Sequence, residues 1–527
     1  MKYPSVLSNF ILLFCLVSAE CGTILLSAMF GEGSHFMASA AIAESLVKRG
    51  HNVTALIGQA YAEQANNPRF APIFDFKLFD HGVEPEVFRE KFKVINSIAF
   101  EKSSLKAHAM AEELRQHMVI SCELILNNTT LLKELLSIDV ILYDATWPCA
   151  LVIKEHIRKA GGRDHQRDIP VVSVLPSTPA SLYIKAAGSS FHFSISPDVA
   201  TGYSNRMSFK ERIFNVLWAM MIDMFASAQF SPYDKYLSAL GSDKTLFDLF
   251  RSSDLYLFNC DFAAEFPFPT TPNIIPVGGL TTRPSLPLES ELEDFVTNSG
   301  DYGVVVFTLG SYLTSMDSDI LEMFAQAFER LPQRIIWQLR DRADIKLPNN
   351  VKIMPWLPQN DLLGHPKTRA FMYQGGNNGF YEAVYHAVPM VVIPFYGDQH
   401  DVAARVTSRG LGKVLDKFSL SVDIIHSALT DVITNDSYSK NIQRTSAIFR
   451  DHDMNPPDTG AFWVEHVMKY GGSYMRTPVN DLNIIQYYLI DVILIFIFST
   501  TLVMGLLVCS CRFLIGCICK RRKEKVE

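Results

Sequence analysis

The residues best suited to chemistry in this 527-residue chain lie in the stretch FMYQGGNNGFYEAVYHAVPMVVIPFYGDQ, from Phe371 to Gln399. A Gly-Gly pair, an Asn-Asn pair and a glutamate lie between two apolar runs, and an Asp-Gln pair closes the stretch. A glycine turn before a helix lets the main chain approach a ligand, and the helix N-terminus presents free N–H groups and a partial positive charge. A phosphate group fits such a site.

The side chains around this turn extend the site. Gln374, at the end of a predicted strand, and Asn378 add amide donors. Glu382 lies one helical turn after Asn378, so its carboxylate can accept hydrogen bonds from two ribose hydroxyls. Asp398 and Gln399 follow the next strand and suit the hydroxyls of a hexose. The order predicts a nucleotide-sugar site, although an N-cap, a solvated helix face and a helix cap explain Asn378, Glu382 and Asp398 individually.

A second pair of residues is suited to proton transfer. His35 lies in the loop GEGSH after the first predicted strand, and Asp144 follows the strand DVILY. A histidine oriented by an aspartate can act as a general base, whereas a turn or cap residue is the plainer interpretation of His35 alone. The loop fails as a dinucleotide fingerprint because Phe36 occupies the third glycine position. Asp317-Ser318-Asp319 precedes a predicted helix, so we expect capping there and neither a metal site nor a cofactor.

Alternating strand and helix patterns must position these residues. Short apolar runs such as VVSVL at 171–175 are typical of parallel strands covered on both faces. The first half of the chain predicts a helix over 36–48 and strands over 23–29, 53–57, 139–143 and 171–175.

A segment rich in proline, glycine and threonine, 266–287, separates this series from a second one. Two series predict an α/β protein with two Rossmann-like domains facing a cleft. We expect an N-terminal domain over 20–280 and a C-terminal domain with a return helix over 281–480. The second series predicts helices over 320–330 and 378–386 and strands over 303–309, 334–339, 351–354, 369–373 and 390–394.

Both ends of the chain are apolar. Residues 1–19 predict a secretory signal peptide, with a first buried strand as the alternative. The uncharged run 492–511 and the basic residues after it predict a transmembrane helix over 490–513 and a cytosolic tail over 514–527. Lys523 and Lys525 resemble a dilysine retrieval signal, although a stop-transfer cluster also explains them. We therefore expect a single-pass type I protein of the endoplasmic reticulum membrane, with a lumenal body and lipid as a partner.

Charge and cysteine content narrow the function classes further. The net charge of −7 offers no basic footprint for nucleic acid. The four cysteines expected in the lumen, Cys21, Cys122, Cys149 and Cys260, are too sparse for a disulfide scaffold or a zinc site. Sequons for glycosylation occur at Asn52, Asn127, Asn128 and Asn435, and Asn52 is expected to begin a buried strand.

One apolar segment has no clear place in this scheme. Residues 217–230 (LWAMMIDMFASAQF) are apolar on most faces. Core packing, an acceptor pocket and contact with a membrane all fit this pattern.

The motifs together resemble the UDP-glycosyltransferases, and most closely the membrane-bound UDP-glucuronosyltransferases. The 371–399 stretch is similar to their signature, residues 356–366 (WLPQNDLLGHP) to their uracil-binding segment, and residues 307–311 (FTLGS) to their first C-domain loop. The likeness extends from Gly33 to the basic tail. It implies a GT-B-type fold, in which the C-terminal domain binds a UDP-sugar donor and the N-terminal domain binds the acceptor.

The resemblance also assigns roles to residues. His35 is the base and Asp144 its aspartate, and the remaining residues bind the donor. Trp356 stacks on uracil beside Gln359, the turn Gly375-Gly376 with Ser311, Gln374, Asn378 and Gly379 holds the diphosphate, Glu382 binds the ribose, and Asp398 and Gln399 bind the sugar.

Three positions depart from the family pattern. The family usually has histidine at the position of Gln374, threonine at Tyr373 and, in glucuronosyl enzymes, arginine at Asn259. Glutamine keeps an N–H donor but carries no charge, and asparagine cannot form the bidentate ion pair that arginine forms with a donor carboxylate.

We therefore expect an inverting transferase that moves a sugar, with glucuronic acid as the first choice, from a UDP-sugar to a hydroxyl of a small lipophilic acceptor. The alternatives are a UDP-glucosyltransferase on the same fold, a sugar-nucleotide epimerase, and a non-catalytic membrane protein that binds UDP-sugar or lipophile. The prediction leaves room for a homo-oligomer.

Overall fold

The computed structural model describes residues 21–91, 104–161, 168–310, 313, 316–340 and 345–523. The predicted signal peptide, Ser311 and the last residues of the basic tail lie outside the described residues. The chain forms two compact units, a body that extends to Arg476 and a C-terminal unit that begins at Thr477.

The first half of the body contains a seven-stranded parallel sheet in the order β3-β2-β1-β4-β5-β6-β7. Its strands are β1 (Thr23–Ser27), β2 (Asn52–Gly58), β3 (Phe74–Phe79), β4 (Val140–Asp144), β5 (Val171–Leu175), β6 (Leu255–Phe258) and β7 (Ile274–Pro276). Its helices are α1 (Gly33–Lys48), α2 (Ser104–Asn127), α3 (Thr129–Glu134), α4 (Cys149–Ala160), α5 (Ser181–Ala186), α6 (Phe209–Phe230), α7 (Asp234–Ala239) and α8 (Leu246–Arg251).

The second half contains a six-stranded parallel sheet in the order β10-β9-β8-β11-β12-β13. Its strands are β8 (Val304–Thr308), β9 (Arg334–Gln338), β10 (Val351–Met354), β11 (Thr368–Tyr373), β12 (Met390–Val392) and β13 (Gly412–Val414). Its helices are α9 (Ser290–Thr297), α10 (Ser318–Glu329), α11 (Gln359–Leu363), α12 (Asn377–Tyr385), α13 (Gln399–Arg409), α14 (Val422–Thr434), α15 (Asp436–Phe449) and α16 (Pro456–Tyr470). The prediction of two Rossmann-like halves is confirmed.

The strand order explains where the site lies. In the first sheet, β2 lies on one side of β1 and the later strand β4 lies on the other side. In the second sheet, β9 and β11 flank β8 in the same way. The loops at the carboxyl ends of such a strand pair diverge to opposite faces and leave a crevice between them. The loops after β1, β4, β8 and β11 carry part of the predicted site, and the loops after β10 and β12 carry the rest.

Burial accounts for the apolar runs. Every residue of β4, β5 and β8 is buried, as expected for parallel strands with helices on both faces. We expect the segment 266–287 to be an irregular linker. That prediction is wrong for the three residues Ile274–Pro276, which form β7. A three-residue strand that ends in proline is too short for periodicity to indicate it.

One disulfide joins two helices of the first half. Cys122 in α2 pairs with Cys149 at the start of α4, 27 residues later in the chain. Two of the four cysteines expected in the lumen therefore form a pair, although they do not form a scaffold. Nothing in their spacing indicates this pairing.

The return helix α16 packs on α1 of the first half. Arg49 Nη1 donates to Glu465 Oε2 at 2.8 Å, and His51 Nε2 lies 3.0 Å from Glu465 Oε1. Ser45 also donates to Asp458. These bonds join the start and the end of the body.

The C-terminal unit contains α17 (Ile484–Tyr487) and α18 (Ile490–Lys523). The helix α18 runs through the predicted span and continues into residues that we expect to form a tail. In the described part of the chain, two segments are long and apolar enough to cross a membrane, Ile490–Ile518 and Phe209–Ala239. The expected apolar C-terminal helix is confirmed.

Candidate active site

A cleft of about 1150 Å³ lies between the two halves of the body and receives side chains from both. Most of the predicted site residues line it. Gly375 and Asp144 are not on its wall, and Ser311 lies outside the described residues. The predicted residues that line the cleft are His35, Trp356, Gln359, Gln374, Gly376, Asn378, Gly379, Glu382, Asp398 and Gln399.

The first half contributes a histidine–carboxylate pair. His35 lies in the first turn of α1, directly after β1, and Asp144 is the last residue of the neighbouring strand β4. His35 Nδ1 donates to Asp144 Oδ2 at 2.8 Å. Thr146 fixes the other carboxylate oxygen, donating to Oδ1 from its main-chain N at 3.0 Å and from Oγ1 at 2.8 Å. The ring is held at Nδ1, which leaves Nε2 for proton transfer.

The surroundings favour the charged forms of this pair. Burial lowers the pKa of His35, but the charge and hydrogen bond of Asp144, with a contribution from Asp398, raise that pKa above its ordinary value. Burial acts in the opposite sense on Asp144, whose pKa is nevertheless lowered by His35 and by the hydrogen bonds of Thr146. An imidazolium formed here is therefore stabilised.

The second half contributes the turn between β11 and α12. Gly375 has φ +94, and a Cβ there would lie 2.9 Å from Val392 Cγ1 and 3.1 Å from the Gln399 carbonyl oxygen. Gly376 is the N-cap residue of α12, without a side chain to cover the first N–H groups. The Oε1 atom of Gln374 is buried without a hydrogen-bond partner in the described part of the chain. The turn thus presents main-chain donors to the cleft, whereas the unsatisfied atom of Gln374 is a hydrogen-bond acceptor.

The two asparagines of α12 connect the halves. Asn378 Nδ2 donates to the Ser34 carbonyl at 3.1 Å, and its Oδ1 accepts from Asn259 Nδ2 at 2.9 Å. Asn377 donates to the carbonyl of Asn259 at 2.8 Å. The side chain of Asn378 is therefore engaged beside His35, and its role at a diphosphate stays a prediction.

Glu382 and Gln359 contact each other. They belong to different sequence motifs, 23 residues apart, and both are predicted to bind the donor. Gln359 Nε2 donates to Glu382 Oε2 at 2.7 Å, and Thr281 Oγ1 donates to Oε1 at 2.7 Å. Burial raises the pKa of Glu382 although both hydrogen bonds lower it. The carboxylate is oriented at the cleft wall, one helical turn beyond Asn378. Thr281, which sequence reasoning missed, is part of this arrangement.

Trp356 offers an exposed aromatic face. Its side chain is 58% exposed, an unusual value for tryptophan in a folded body. The guanidinium of Arg340 lies 5.6 Å from the ring centroid. An exposed indole at a cleft wall can stack on a planar ring.

Asp398 and Gln399 follow β12. Asp398 is the N-cap residue of α13 and Gln399 is its first residue. Asp398 Oδ2 accepts from the main-chain N of Thr178 in the first half, at 3.3 Å. Burial raises the pKa of Asp398, while Arg405 and His35 lower it. Gln399 Oε1 accepts from the main-chain N of Phe395 at 2.8 Å, so its amide is held by the loop before it.

A buried ion pair lies behind this end of the cleft. Arg405 Nη1 in α13 donates to Glu265 Oε2 of the first half at 2.6 Å, and both side chains are almost fully buried. Arg405 also donates to Thr178 Oγ1 at 3.0 Å and to Asn377 Oδ1 at 3.2 Å. No local sequence pattern indicates this pair, because its members are 140 residues apart.

The structure gives a physical account of two departures from the family pattern. Asn259 is fully buried, with Nδ2 on Asn378 and the Pro176 carbonyl and Oδ1 accepting from the N–H of Gly279. Tyr373 is buried and stacks on Phe371 at 4.3 Å. A Cβ at Gly379 would lie 3.2 Å from the Tyr373 ring, so this ring packs against the glycine of α12.

Metal ligands are not grouped in the part of the chain that the structure describes. Within those ranges no cluster of three or more His, Cys, Asp or Glu side chains could hold an ion. Asp317 is the N-cap residue of α10, the helix position that we expect for it, but its side chain makes no capping hydrogen bond.

Curated proteins similar to this chain are glucuronosyltransferases. The chain is 35% identical over 504 residues to UDP-glucuronosyltransferase 2B33 of Macaca mulatta, covering 94% of this chain and 93% of that protein. It is 34% identical over 504 residues to UDP-glucuronosyltransferase 2B7 of Homo sapiens, with the same coverage.

Solved structures with the same architecture are glycosyltransferases. The glycotransferase of kitacinnamycin has a TM-score of 0.57 at 17% identity, over 85% of this chain and 99% of that one. CalG4, the calicheamicin glycosyltransferase, has a TM-score of 0.55 at 19% identity, over 86% and 98%. These likenesses show the GT-B fold. The family model "UDP-glucoronosyl and UDP-glucosyl transferase" matches residues 22–525, and the chain therefore belongs to that family of UDP-sugar transferases.

Proposed function

We propose that this protein transfers glucuronic acid, with inversion, from UDP-glucuronate to a hydroxyl group of a small lipophilic acceptor. The observation that carries the proposal is His35 on one wall of the cleft, held from behind by Asp144, with the glycine turn and the N-terminus of α12 on the other wall. A base for an acceptor and donors for a departing diphosphate thus share one cavity.

The acceptor step follows from the orientation of His35. Nε2 removes the proton from the acceptor hydroxyl as its oxygen attacks the anomeric carbon of the sugar. Asp144 stabilises the imidazolium that forms and keeps the ring in the productive tautomer. The attacking oxygen comes from the face opposite UDP, so an α-linked donor gives a β-glycoside.

The donor step follows from the turn before α12. The bond between the anomeric carbon and the phosphate oxygen breaks, and its electron pair leaves with UDP. The N–H groups at the start of α12 stabilise that developing charge, and we assign the same role to the side-chain NH₂ group of Gln374, which lines the cleft. Trp356 and Gln359 bind uracil, Glu382 the ribose, and Asp398 and Gln399 the sugar.

A neutral hexose donor, UDP-glucose, is the second candidate. Asn259 favours it, because this position carries no cation for a donor carboxylate and its amide is engaged with Pro176, Gly279 and Asn378.

The test is a donor comparison. Microsomes that express the chain receive UDP-glucuronate or UDP-glucose with a panel of phenols and steroids. We expect glucuronides, and glucosides alone would assign the second candidate. Turnover of UDP-sugar without acceptor would favour an epimerase. An inert wild type that Gln374→His converts to an active transferase would show that this chain is a binding protein.

We place the body in the lumen of the endoplasmic reticulum, with α18 crossing the membrane as a single span. A lumenal body is consistent with the Cys122–Cys149 disulfide, since such bonds persist in oxidising compartments. The sequon residues Asn52, Asn127, Asn128 and Asn435 are exposed, which suits glycosylation. Glycosidase treatment of the expressed protein should lower its apparent mass.

A further inference from the structure

The largest unexplained feature of the body is the surface of α6. Nine large apolar side chains of this helix are more than a third exposed, from Val216 at 38% to Met224 at 73%. They are Phe209, Ile213, Phe214, Val216, Leu217, Met220, Met221, Met224 and Phe225. Core packing is one of the interpretations of this segment. The buried residues of the helix form a narrow stripe, which consists of Asn215, Ala219, Ala226 and Phe230. An apolar surface of this size marks an interaction site.

The helix lies along the body and does not cross a bilayer. Asn215 Nδ2 donates to the carbonyls of Phe193 and Ser196, at 3.0 and 2.9 Å. Trp218 Nε1 donates to the Val199 carbonyl at 2.8 Å, and Gln229 Nε2 donates to the Thr146 carbonyl at 2.9 Å. The helix is therefore fixed to the first half of the body from its second turn to its C-terminal end.

Charge is arranged along α6 as on a helix at a lipid interface. Residues 213–222 carry no charge. In the first turn Lys210 and Arg212 flank Glu211, which forms a capping box with Ser208, and Arg206 precedes the helix, so this end carries a net positive charge. The one acid of the second half of the helix, Asp223, pairs with Lys185 at 2.6 Å. Phenylalanine, methionine and leucine beside a basic end are typical of helices that lie in the headgroup region.

We propose that the exposed face of α6 is a second membrane contact, lying in the plane of the bilayer with its apolar side chains at the headgroup–acyl boundary. The inference rests on the proposed membrane anchorage by α18. Thirteen residues, 477–489, connect the body to α18. Once α18 lies in the membrane, this short connection tethers the body to the same bilayer.

This contact has a consequence for the acceptor. Gln229 of α6 binds Thr146, and Thr146 binds Asp144, so the C-terminal end of α6 is two hydrogen bonds from the catalytic carboxylate. Lipophilic acceptors concentrate in the bilayer, and α6 holds the acceptor side of the cleft next to that source.

Methionine oxidation tests the proposal on the full chain. The protein is placed in nanodiscs of phosphatidylcholine with a minority of phosphatidylserine, one chain per disc, and treated with periodate, a charged oxidant. Mass spectrometry then gives the oxidation rate of each methionine. Met454, 43% exposed on the body, reports the rate in water, and Met504 of α18 reports the rate within lipid.

We expect Met220, Met221 and Met224 to oxidise roughly tenfold or more slowly than Met454, the factor set by the transfer free energy of a large apolar side chain. Rates equal to that of Met454 would overturn the proposal. Protection that occurs solely in discs with two chains would overturn it in favour of self-association. If Met504 itself oxidises as fast as Met454, the anchor is wrong and the inference falls with it.

A pair of substitutions provides a second arm. Leu217→Glu with Phe225→Glu, both at exposed positions, should raise oxidation of the three α6 methionines to the Met454 rate. Ile448→Glu, at a 53% exposed position of α15, is the matched control and should change nothing. An unchanged oxidation rate in the α6 double variant would contradict lipid contact.

Discussion

At the scale of single residues, the proposed mechanism assigns proton transfer to His35 and stabilisation of the charged imidazole to Asp144. His35 is 28% exposed toward the cleft, whereas Asp144 behind it is 2% exposed. A buried, hydrogen-bonded carboxylate orients the ring and stays ionised, and the accessible imidazole exchanges the proton. The two functions can therefore be separated by substitution.

Replacing His35 by alanine should remove transfer and spare UDP binding. General-base help is worth about 10²–10⁴ in rate, so we expect kcat to fall by that order. Calorimetric titration of UDP into the same variant should give the wild-type affinity, because the turn and the start of α12 lie on the other wall. Loss of activity and UDP binding together would contradict the assigned role.

Asp144→Asn should shift the pH dependence of kcat/KM. The wild-type base is neutral only above its pKa, which Asp144 raises, so activity should rise with pH through a value above the ordinary histidine pKa. Asparagine removes the charge, lowers the pKa of His35 and moves the acidic limb to lower pH. The maximum rate should fall because the imidazolium loses its partner. An unmoved limb would contradict electrostatic coupling between the two residues.

At the scale of elements, the strand–turn–helix unit from Thr368 to Tyr385 depends on backbone conformation. Gly375→Ala places a methyl group in a left-handed conformation and against Val392 and Gln399. The conformation costs about 1–2 kcal/mol by itself, and the contacts add to it. We expect lower thermal stability and a loss of UDP affinity.

Gly300→Ala is the matched control for this substitution. Gly300 also has positive φ, +62, but a Cβ there meets nothing within 4 Å, and the residue does not line the cleft. It should lose a similar conformational energy and keep full UDP affinity. Equal loss of affinity in both variants would show that the turn has no specific role.

The sequence predicts elements best where they are buried and regular. The strand at 171–175 is found with the predicted bounds, and the α12 helix differs by one residue at each end. Local patterns cannot indicate contacts made across the chain, such as Cys122–Cys149, Arg405–Glu265 or the hydrogen bonds of Asn259 between the halves. Local sequence indicates the glycine turn and the glutamate one helical turn beyond Asn378, and both line the cleft. The engagement of Asn378 with Ser34 was not predictable, because it depends on how the two sheets face each other.

At the scale of the whole molecule, a buried ion pair joins the two halves of the body. Arg405→Met leaves the Glu265 carboxylate buried without its partner, and such a loss costs about 3–5 kcal/mol. We expect a lower Tm for the detergent-solubilised protein. The double variant Arg405→Met/Glu265→Met should recover part of that loss, because no buried charge remains. A double variant less stable than the single one would contradict this account.

The stereochemistry of the product tests the central claim most directly. Purified full-length protein receives α-linked UDP-glucuronate and a phenol, and NMR follows the anomeric proton of the product and the release of UDP. We predict a β-glucuronide formed in equal amount with UDP, and about 10²–10⁴-fold slower formation with His35→Ala. An α-linked product, or product formation unaffected by loss of His35, would contradict a one-step transfer by the imidazole across the cleft.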